Sequence, residues 1–489
     1  MNHSMTQSWN KSVRLILFAT LCVVVAIGAG QAQSPVPQIV GPVKPSAVAP
    51  GADSFTLSVY GANFVAGAVV NWNSSPRSTI FVSGHELQAQ IPASDVAQNS
   101  AGLISVTNPG PGGGNSSASW AQVEVHNPVT SINLPHWRPY NIGFWSLMAA
   151  DFNHDGVLDL VGAYSPYLDY YSGKGDGTFH FGSIAGRAYQ GILPPVYGDF
   201  NGDGNVDVAF VQAQGSQQPT QMGVMLGDGK GNFTLGSHIN DNAGFGLTIT
   251  GDFNRDGKLD LVTRGAKQFS LFLGNGDGSF QHFKDYAYRD IAIQVVAGDF
   301  NNDGKLDLAF FESPIFGTNT GIALWVLLGN GDGTFETPKQ ISSFPAVLGC
   351  TGGVQFQGNI QVGDFNGDGK LDLAFCTNTQ IGVVLGNGDG TFQPAVLYTA
   401  SPQGSFTYAI GDINSDGKQD LLVSQYPGVT NYSFAVLFGN GDGTFQPVQT
   451  VETGITFGEL GIVTGDFNAD GLLDFVFQTG LGMDVFIQK

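Results

Sequence analysis

One nine-residue pattern, D-x-N-x-D-G-x-x-D, recurs seven times between residue 151 and the C-terminus, and every copy keeps all three acidic positions. The copies begin at Asp151, Asp199, Asp252, Asp299, Asp364, Asp412 and Asp466, with spacings of 48, 53, 47, 65, 48 and 54 residues. Such a period is close to that of a four-stranded propeller blade, so seven units predict seven blades. A second motif falls between successive loops: Gly173-Lys174-Gly175-Asp176-Gly177-Thr178-Phe179, with variants ending at Phe233, Phe280, Phe335, Phe392 and Phe445. Glycine at that density marks a tight hairpin with positive φ. Strand-like runs such as Leu371–Phe375 and Ile381–Leu385 flank the two motifs. Each repeat therefore reads strand A, acidic loop, strand B, strand C, glycine hairpin, strand D.

The counts do not match, since there are seven loops and six glycine hairpins. The 15 residues after Asp474 supply strands B and C but no D. The segment Val129–Leu134, upstream of the first strand A, is expected to fill that gap and remove the sheet edges a broken ring would expose. The ring is thus assigned to residues 128–489. Residues 33–127 lack the repeat and read as a separate small sandwich, with strands expected at Phe55–Phe64, Ala68–Trp72, Leu87–Ile91 and Leu103–Thr107. The Pro-rich stretch Ser34–Pro50 is expected to be a flexible lead-in. With 70 glycines, 12% charged and 11% aromatic residues, the composition agrees with an all-β chain: a seven-bladed β-propeller preceded by an immunoglobulin-like β-sandwich.

The acidic loop has the chemistry of a calcium site. Positions 1, 3, 5 and 9 present carboxylate or carboxamide oxygens, Gly at 6 permits a sharp reversal, and position 7 offers its carbonyl; calcium takes six to eight such oxygens. The first three loops give Asp151, Asn153, Asp155, Val157 and Asp159, then Asp199, Asn201, Asp203, Asn205 and Asp207, then Asp252, Asn254, Asp256, Lys258 and Asp260. The fourth and fifth give Asp299, Asn301, Asp303, Lys305 and Asp307, and Asp364, Asn366, Asp368, Lys370 and Asp372. The last two give Asp412, Asn414, Asp416, Lys418 and Asp420, and Asp466, Asn468, Asp470, Leu472 and Asp474. Three carboxylates per loop repel one another without a cation, so up to seven structural calcium ions are expected. An EF-hand is excluded because strand residues, not a helix and a bidentate Glu, follow position 9.

The net charge of −21 argues against nucleic acid or anionic lipid as partner. Residues 1–32 read as a secretory signal: Lys11 and Arg14 precede an apolar run from Leu15 to Ala29, with small residues before a cleavage point set after Ala32. The run is too short for a spanning helix, so an exported chain with no membrane span after cleavage is expected. Cys22 follows Leu21 and lacks the setting of a lipid-attachment cysteine. Cys350 and Cys376 either bridge or remain buried thiols.

Repeats such as Gly363–Leu373 followed by Gly386–Phe392 resemble the FG-GAP/VCBS repeats of integrin-α-like propellers, over about residues 129–489. The resemblance implies structural calcium in the loops and ligand binding elsewhere on the ring. The Phe-Gly and Gly-Ala-Pro elements survive only as Phe438-Gly439, which points to the bacterial VCBS branch and withholds integrin-type recognition. The segment before the ring, with Val70-Asn71-Trp72-Asn73 and Asn108–Gly114, is similar to IPT/TIG domains. No H-E-x-x-H, G-x-S-x-G or phosphate-loop motif is present, and His154 within the first loop reads as a solvated substitution. The expected function is an adhesion or ligand-binding module outside the cell or at its surface, with a protein or glycan ligand. A lectin is the alternative, for which Trp137–Trp145 and Tyr164, Tyr167, Tyr170 and Tyr171 are candidate stacking residues. A secreted polysaccharide-degrading enzyme with an unrecognised site is the second alternative. Loops at Glu312–Thr320 and Ser342–Gly353 are candidate binding surfaces.

Overall fold

The computed structural model describes residues 33–116, 121–130, 132, 136–140, 146–164, 167–187, 195–212, 220–241, 248–265, 268–287, 291–313, 322–344, 360–376, 380–400, 405–425, 432–455, 459–479 and 482–489. The signal segment, Cys350 and most of the two candidate binding loops lie outside them. Among the described residues no helix is long and apolar enough to cross a membrane.

From residue 136 onward the described chain forms repeated four-stranded antiparallel sheets, the arrangement of a β-propeller. The first sheet shows the expected order: Ser146–Ala150 as strand A, Asp159–Tyr164 as B, Tyr167–Gly173 as C and Phe179–Arg187 as D. The acidic loop and the glycine hairpin therefore emerge at the same end of each sheet. In most cases strand A of one sheet neighbours strand A of the next, and Glu459–Gly465 of the last neighbours Ser146–Ala150 of the first.

Two contacts repeat between sheets, and both come from the motifs. The position-2 Phe of each loop meets the hairpin Phe of the following sheet edge to face or tilted: Phe152–Phe233, Phe200–Phe280, Phe253–Phe335, Phe300–Phe392 and Phe365–Phe445, with Phe467–Phe179 joining last to first. The third glycine of a hairpin donates its N–H to the carbonyl of that same loop Phe, as Gly278 to Phe200 (2.9 Å), Gly333 to Phe253 (3.0 Å) and Gly177 to Phe467 (2.9 Å). Aromatic pairs of this geometry contribute about 0.5–1.5 kcal/mol beyond their burial.

The sheet without a hairpin solves the same problem differently. Its strands B and C are Asp474–Thr479 and Gly482–Ile487, and the outer strand is His136–Tyr140, paired from His136 with Ile487 to Tyr140 with Met483. The upstream chain does complete the last sheet, but not with Val129–Leu134. The Val129 N–H is bound to the Asn414 carbonyl instead (2.8 Å), so this stretch tethers the chain to the sixth loop before the pairing strand begins. Pro139 is tolerated there because the strand is an edge. Gln488 then replaces the absent hairpin: its Nε2 donates to the Ile413 carbonyl (2.9 Å) where a glycine N–H donates elsewhere. Ile413 is the only position-2 residue that is not Phe, and its loop is the one that has no hairpin Phe to meet.

Before residue 128 two sheets enclose one core that includes Leu57, Val59, Val70, Trp72, Leu87, Ile104 and Val123. The expected strands appear as Phe55–Ala62, Val69–Trp72, Glu86–Ile91 and Ser100–Asn108. The Pro-rich stretch is not a flexible lead-in: Gln38–Lys44 and Ala47–Val48 are strands. Gln38–Lys44 tolerates Pro42 because it is an edge strand whose register shifts between Ile39 and Val43.

Candidate metal-loop face

All seven loops share one backbone path. Position 6 is a glycine with φ between 78° and 89° in every copy. Position 4 is left-handed as well, through His154 (60°), Gly202 (74°), Arg255 (58°), Asn302 (58°), Gly367 (74°), Ser415 (55°) and Ala469 (60°). The motif announced the first reversal but not the second, because position 4 has no fixed residue type.

Within a loop the side-chain oxygens close onto loop amides. In the first, Asp151 accepts from Asp155 N (3.1 Å) and Gly156 N (2.9 Å), Asn153 Oδ1 accepts from Asp155 N (2.8 Å), and Asp155 Oδ1 accepts from Val157 N (2.9 Å). Asp159 at position 9 ties the loop to the hairpin, accepting from Phe152 N (3.1 Å) and Gly173 N (2.9 Å). The same bonds recur, for example at Asp207, Asp307 and Asp372. In the hairpinless sheet Gln488 N replaces the glycine, donating to Asp474 (2.9 Å).

Burial, with the carboxylates at positions 1 and 5 adding to it, pushes the position-9 carboxyls up. Asp159, Asp207 and Asp372 rise to about 7, Asp307 to about 8, Asp474 to about 9, and Asp260 and Asp420 well above the usual range. Burial also raises Asp252 to about 7 and Asp412 and Asp466 to about 6. Each loop thus holds a buried carboxyl whose charged form is disfavoured, and a cation beside it would favour that form. The donor set of carboxylates, carboxamides and a backbone carbonyl is that of a calcium site. Among the described residues no three acidic side chains converge closely enough to enclose an ion as they stand. Their oxygens face amides instead, which leaves lone pairs free because an ionised carboxylate accepts at about four positions.

Nothing in the sequence pattern signals that the N-terminal module docks onto this face. Val36 N donates to Asp252 Oδ2 (2.7 Å), Ser46 Oγ to Asp412 Oδ2 (2.8 Å), and Lys44 Nζ lies 2.5 Å from Asp364 Oδ2. His85 Nδ1 lies 3.2 Å from Asp299 Oδ2, and its Nε2 lies 3.3 Å from the Gly369 carbonyl, so one ring bridges the fourth and fifth loops. Burial opposes the charged ring, but the Asp299 carboxylate outweighs it and raises the His85 pKa. Asn63 adds bonds to the Asp252 and Gly304 carbonyls. Near the sixth and seventh loops Gln122 accepts from Asp466 N (3.2 Å), and buried Glu124 accepts from the Ser415 hydroxyl. Burial, then the nearby Asp412 charge, raises the Glu124 carboxyl well above its usual range.

Between the module and the first two loops lies a cleft of about 340 Å³, lined by Asn73, Ser105, Asn115 and Ser116 on one side and Asp151, His154 and Asp155 on the other. Of the aromatic candidates, Tyr170 and Tyr171 are buried and pack within the ring. Tyr164, Tyr167 and the rest of Trp137–Trp145 lie outside the described side chains, whereas Tyr140 packs edge to face on Phe179 and its hydroxyl accepts from Phe179 N (2.9 Å). Cys376 is disulfide-bonded.

The FG-GAP-like repeat model matches residues 151–210, 199–263, 252–310, 315–375, 364–423 and 412–477, two-thirds of the chain. The chain belongs to the FG-GAP-like repeat family. No curated protein sequence matches it. Among solved structures, this FG-GAP-like chain is similar to an Agrocybe aegerita lectin that recognises non-reducing terminal N-acetylglucosamine (20% identity, 79% of this chain and 96% of that one, TM-score 0.47). It is also similar to an auxiliary nutrient binding protein from Bacteroides ovatus (12%, 93% and 98%, TM-score 0.39) and to a provisionally named phosphatase from Bacteroides thetaiotaomicron (13%, 93% and 98%, TM-score 0.39).

Proposed function

We propose that this FG-GAP-like chain is an exported, calcium-loaded propeller of seven blades, fronted by an IPT/TIG-like immunoglobulin-type module, that binds an extracellular protein or glycan and catalyses no reaction. The observation that carries the calcium reading is the shared loop path, with the same oxygen donors at the same positions in all seven copies. Calcium would be held by positions 1, 3, 5, 7 and 9, and it would supply charge neutralisation rather than chemistry.

The glycan version of the reading has one feature in its favour, the cleft over the first two loops, whose amides and hydroxyls match the donors and acceptors of a sugar. Glycan and matrix-protein arrays probed with the calcium-loaded chain test both versions. Glycan binding that falls on Asn115→Ala places the ligand in this cleft. Binding to proteins alone excludes the lectin version, and turnover of a polysaccharide would overturn the non-enzymatic reading.

A further inference from the structure

We infer that the N-terminal module is an outer coordination shell for the metal loops, and that it divides the seven calcium sites into an open pair and a covered five that release their ions slowly. The inference rests on the calcium reading above and adds which residues tune which sites.

Four module groups reach the position-1 carboxylates of the third to sixth loops: Val36 N at Asp252, His85 Nδ1 at Asp299 and Ser46 Oγ at Asp412 lie at hydrogen-bond distance, and the Lys44 Nζ ammonium forms an ion pair with Asp364. They are four different kinds of group on four different parts of the module, yet all meet the same oxygen, Oδ2. In each loop that oxygen also accepts the position-6 glycine N–H, while Oδ1 accepts amides of the loop itself. Such a donor behind a ligating carboxylate fixes its rotamer and withdraws it from water, and removing one typically weakens metal binding about 10- to 100-fold.

Cover extends this set to the seventh loop. Asp252, Asp299, Asp364, Asp412 and Asp466 are buried, between 0% and 8% exposed, whereas Asp151 and Asp199 are only half-buried. A Cβ added at the position-6 glycine would crowd the module in the third, fourth, fifth and seventh loops, lying 2.7 Å from Ser34 O at Gly257, 3.0 Å from Gly84 at Gly304, 3.2 Å from the Tyr60 ring at Gly369 and 2.6 Å from Ser100 O at Gly471. At Gly156 and Gly204, and also at Gly417 of the sixth loop, it would meet nothing within 4 Å. The sixth loop is covered beside its glycine instead, through Ser46 and Glu124.

The test mixes the purified calcium-loaded chain with excess fluorescent chelator in a stopped-flow instrument and counts ions released per chain in each phase. The expected result is two ions in a fast phase and five in phases at least about tenfold slower. Lys44→Met should move one ion out of the slow group, and Lys44→Arg should return it. Ser46→Ala reports in the same way on the sixth loop should Lys44→Met not fold, and Arg77→Met, whose partner Asp95 lies within the module, should leave the phases unchanged. Release of all ions in one phase, or a Lys44→Met variant that accelerates every slow ion together, overturns the inference and leaves the calcium reading standing. A chain that binds no calcium overturns the calcium reading itself.

Discussion

Replacing Gln488 by Leu tests how the ring is held closed. The side chain is fully buried, and its Nε2 is the donor seen at the Ile413 carbonyl (2.9 Å). The backbone bond from Gln488 N to Asp474 survives the substitution, so the change isolates the side chain. Leucine is similar in size and more apolar, and if position 488 merely fills space the variant should be as stable as the parent or more so. If Gln488 stands in for the hairpin glycine, the Ile413 carbonyl is left buried without that donor, at a cost of about 1–3 kcal/mol. Spread over a chain of this length, that shifts a melting temperature by only a few degrees, so local opening is the better readout. Hydrogen exchange of the strand amides at His136–Tyr140 and Gly482–Ile487 should accelerate about 5- to 150-fold, the range those energies imply. Amides of Asp207–Gln212, in a distant sheet, should be unaffected. Unchanged protection in the last sheet, or equal acceleration in both, would refute the argument.

Without metal, the raised carboxyls make the folded chain hold protons that the unfolded chain releases. Metal-free stability should therefore be greatest below the ordinary carboxylate range and fall as pH rises through about 6 to 9. With calcium the slope should reverse in the acid range, because protons compete for the same oxygens; thermal unfolding at pH 5 and 8, with calcium and with chelator, checks both signs. Ala469→Gly relieves a left-handed residue and should raise stability by about 1 kcal/mol, read as a higher denaturation midpoint, whereas Gly471→Ala should lower it by driving a methyl against Ser100 O. Ile413→Phe should destabilise by about 1–3 kcal/mol through overpacking, since no hairpin Phe awaits it, and a neutral result in the same denaturation assay would remove the proposed link between that residue and the missing hairpin.

The parts of the fold legible in the sequence were those written as repeats. Seven loops and six hairpins set the sheet order, the shared end of loop and hairpin, and the need for an upstream strand in the last sheet. The segment chosen for that strand lay a few residues too early, because apolar character marks Val129–Leu134 while pairing depends on where the tether to Asn414 ends. The docked module was illegible for a related reason. Its contacts use a lone Lys, a Ser, a His and a backbone N–H, each unremarkable in its own neighbourhood and more than 200 residues from its partner. The Pro-rich stretch misled because proline is common both in flexible leads and in edge strands such as Gln38–Lys44, and only the partner strand distinguishes them.

Position and connectivity together explain why the module sits where it does. The one junction of the ring that no continuous chain crosses lies in the last sheet, where His136–Tyr140 pairs with Gly482–Ile487. The module leads directly into that strand, through Val125 and the Val129 tether on the sixth loop. Its Gln122 and Glu124 hold the seventh and sixth loops on the same side. A module bound across this junction opposes its opening in the way a cross-link does, by keeping the closing strand near its partner when the pairing breaks. Its donors reach metal-loop carboxylates, so emptying those loops should weaken the module's hold and the ring's closure together.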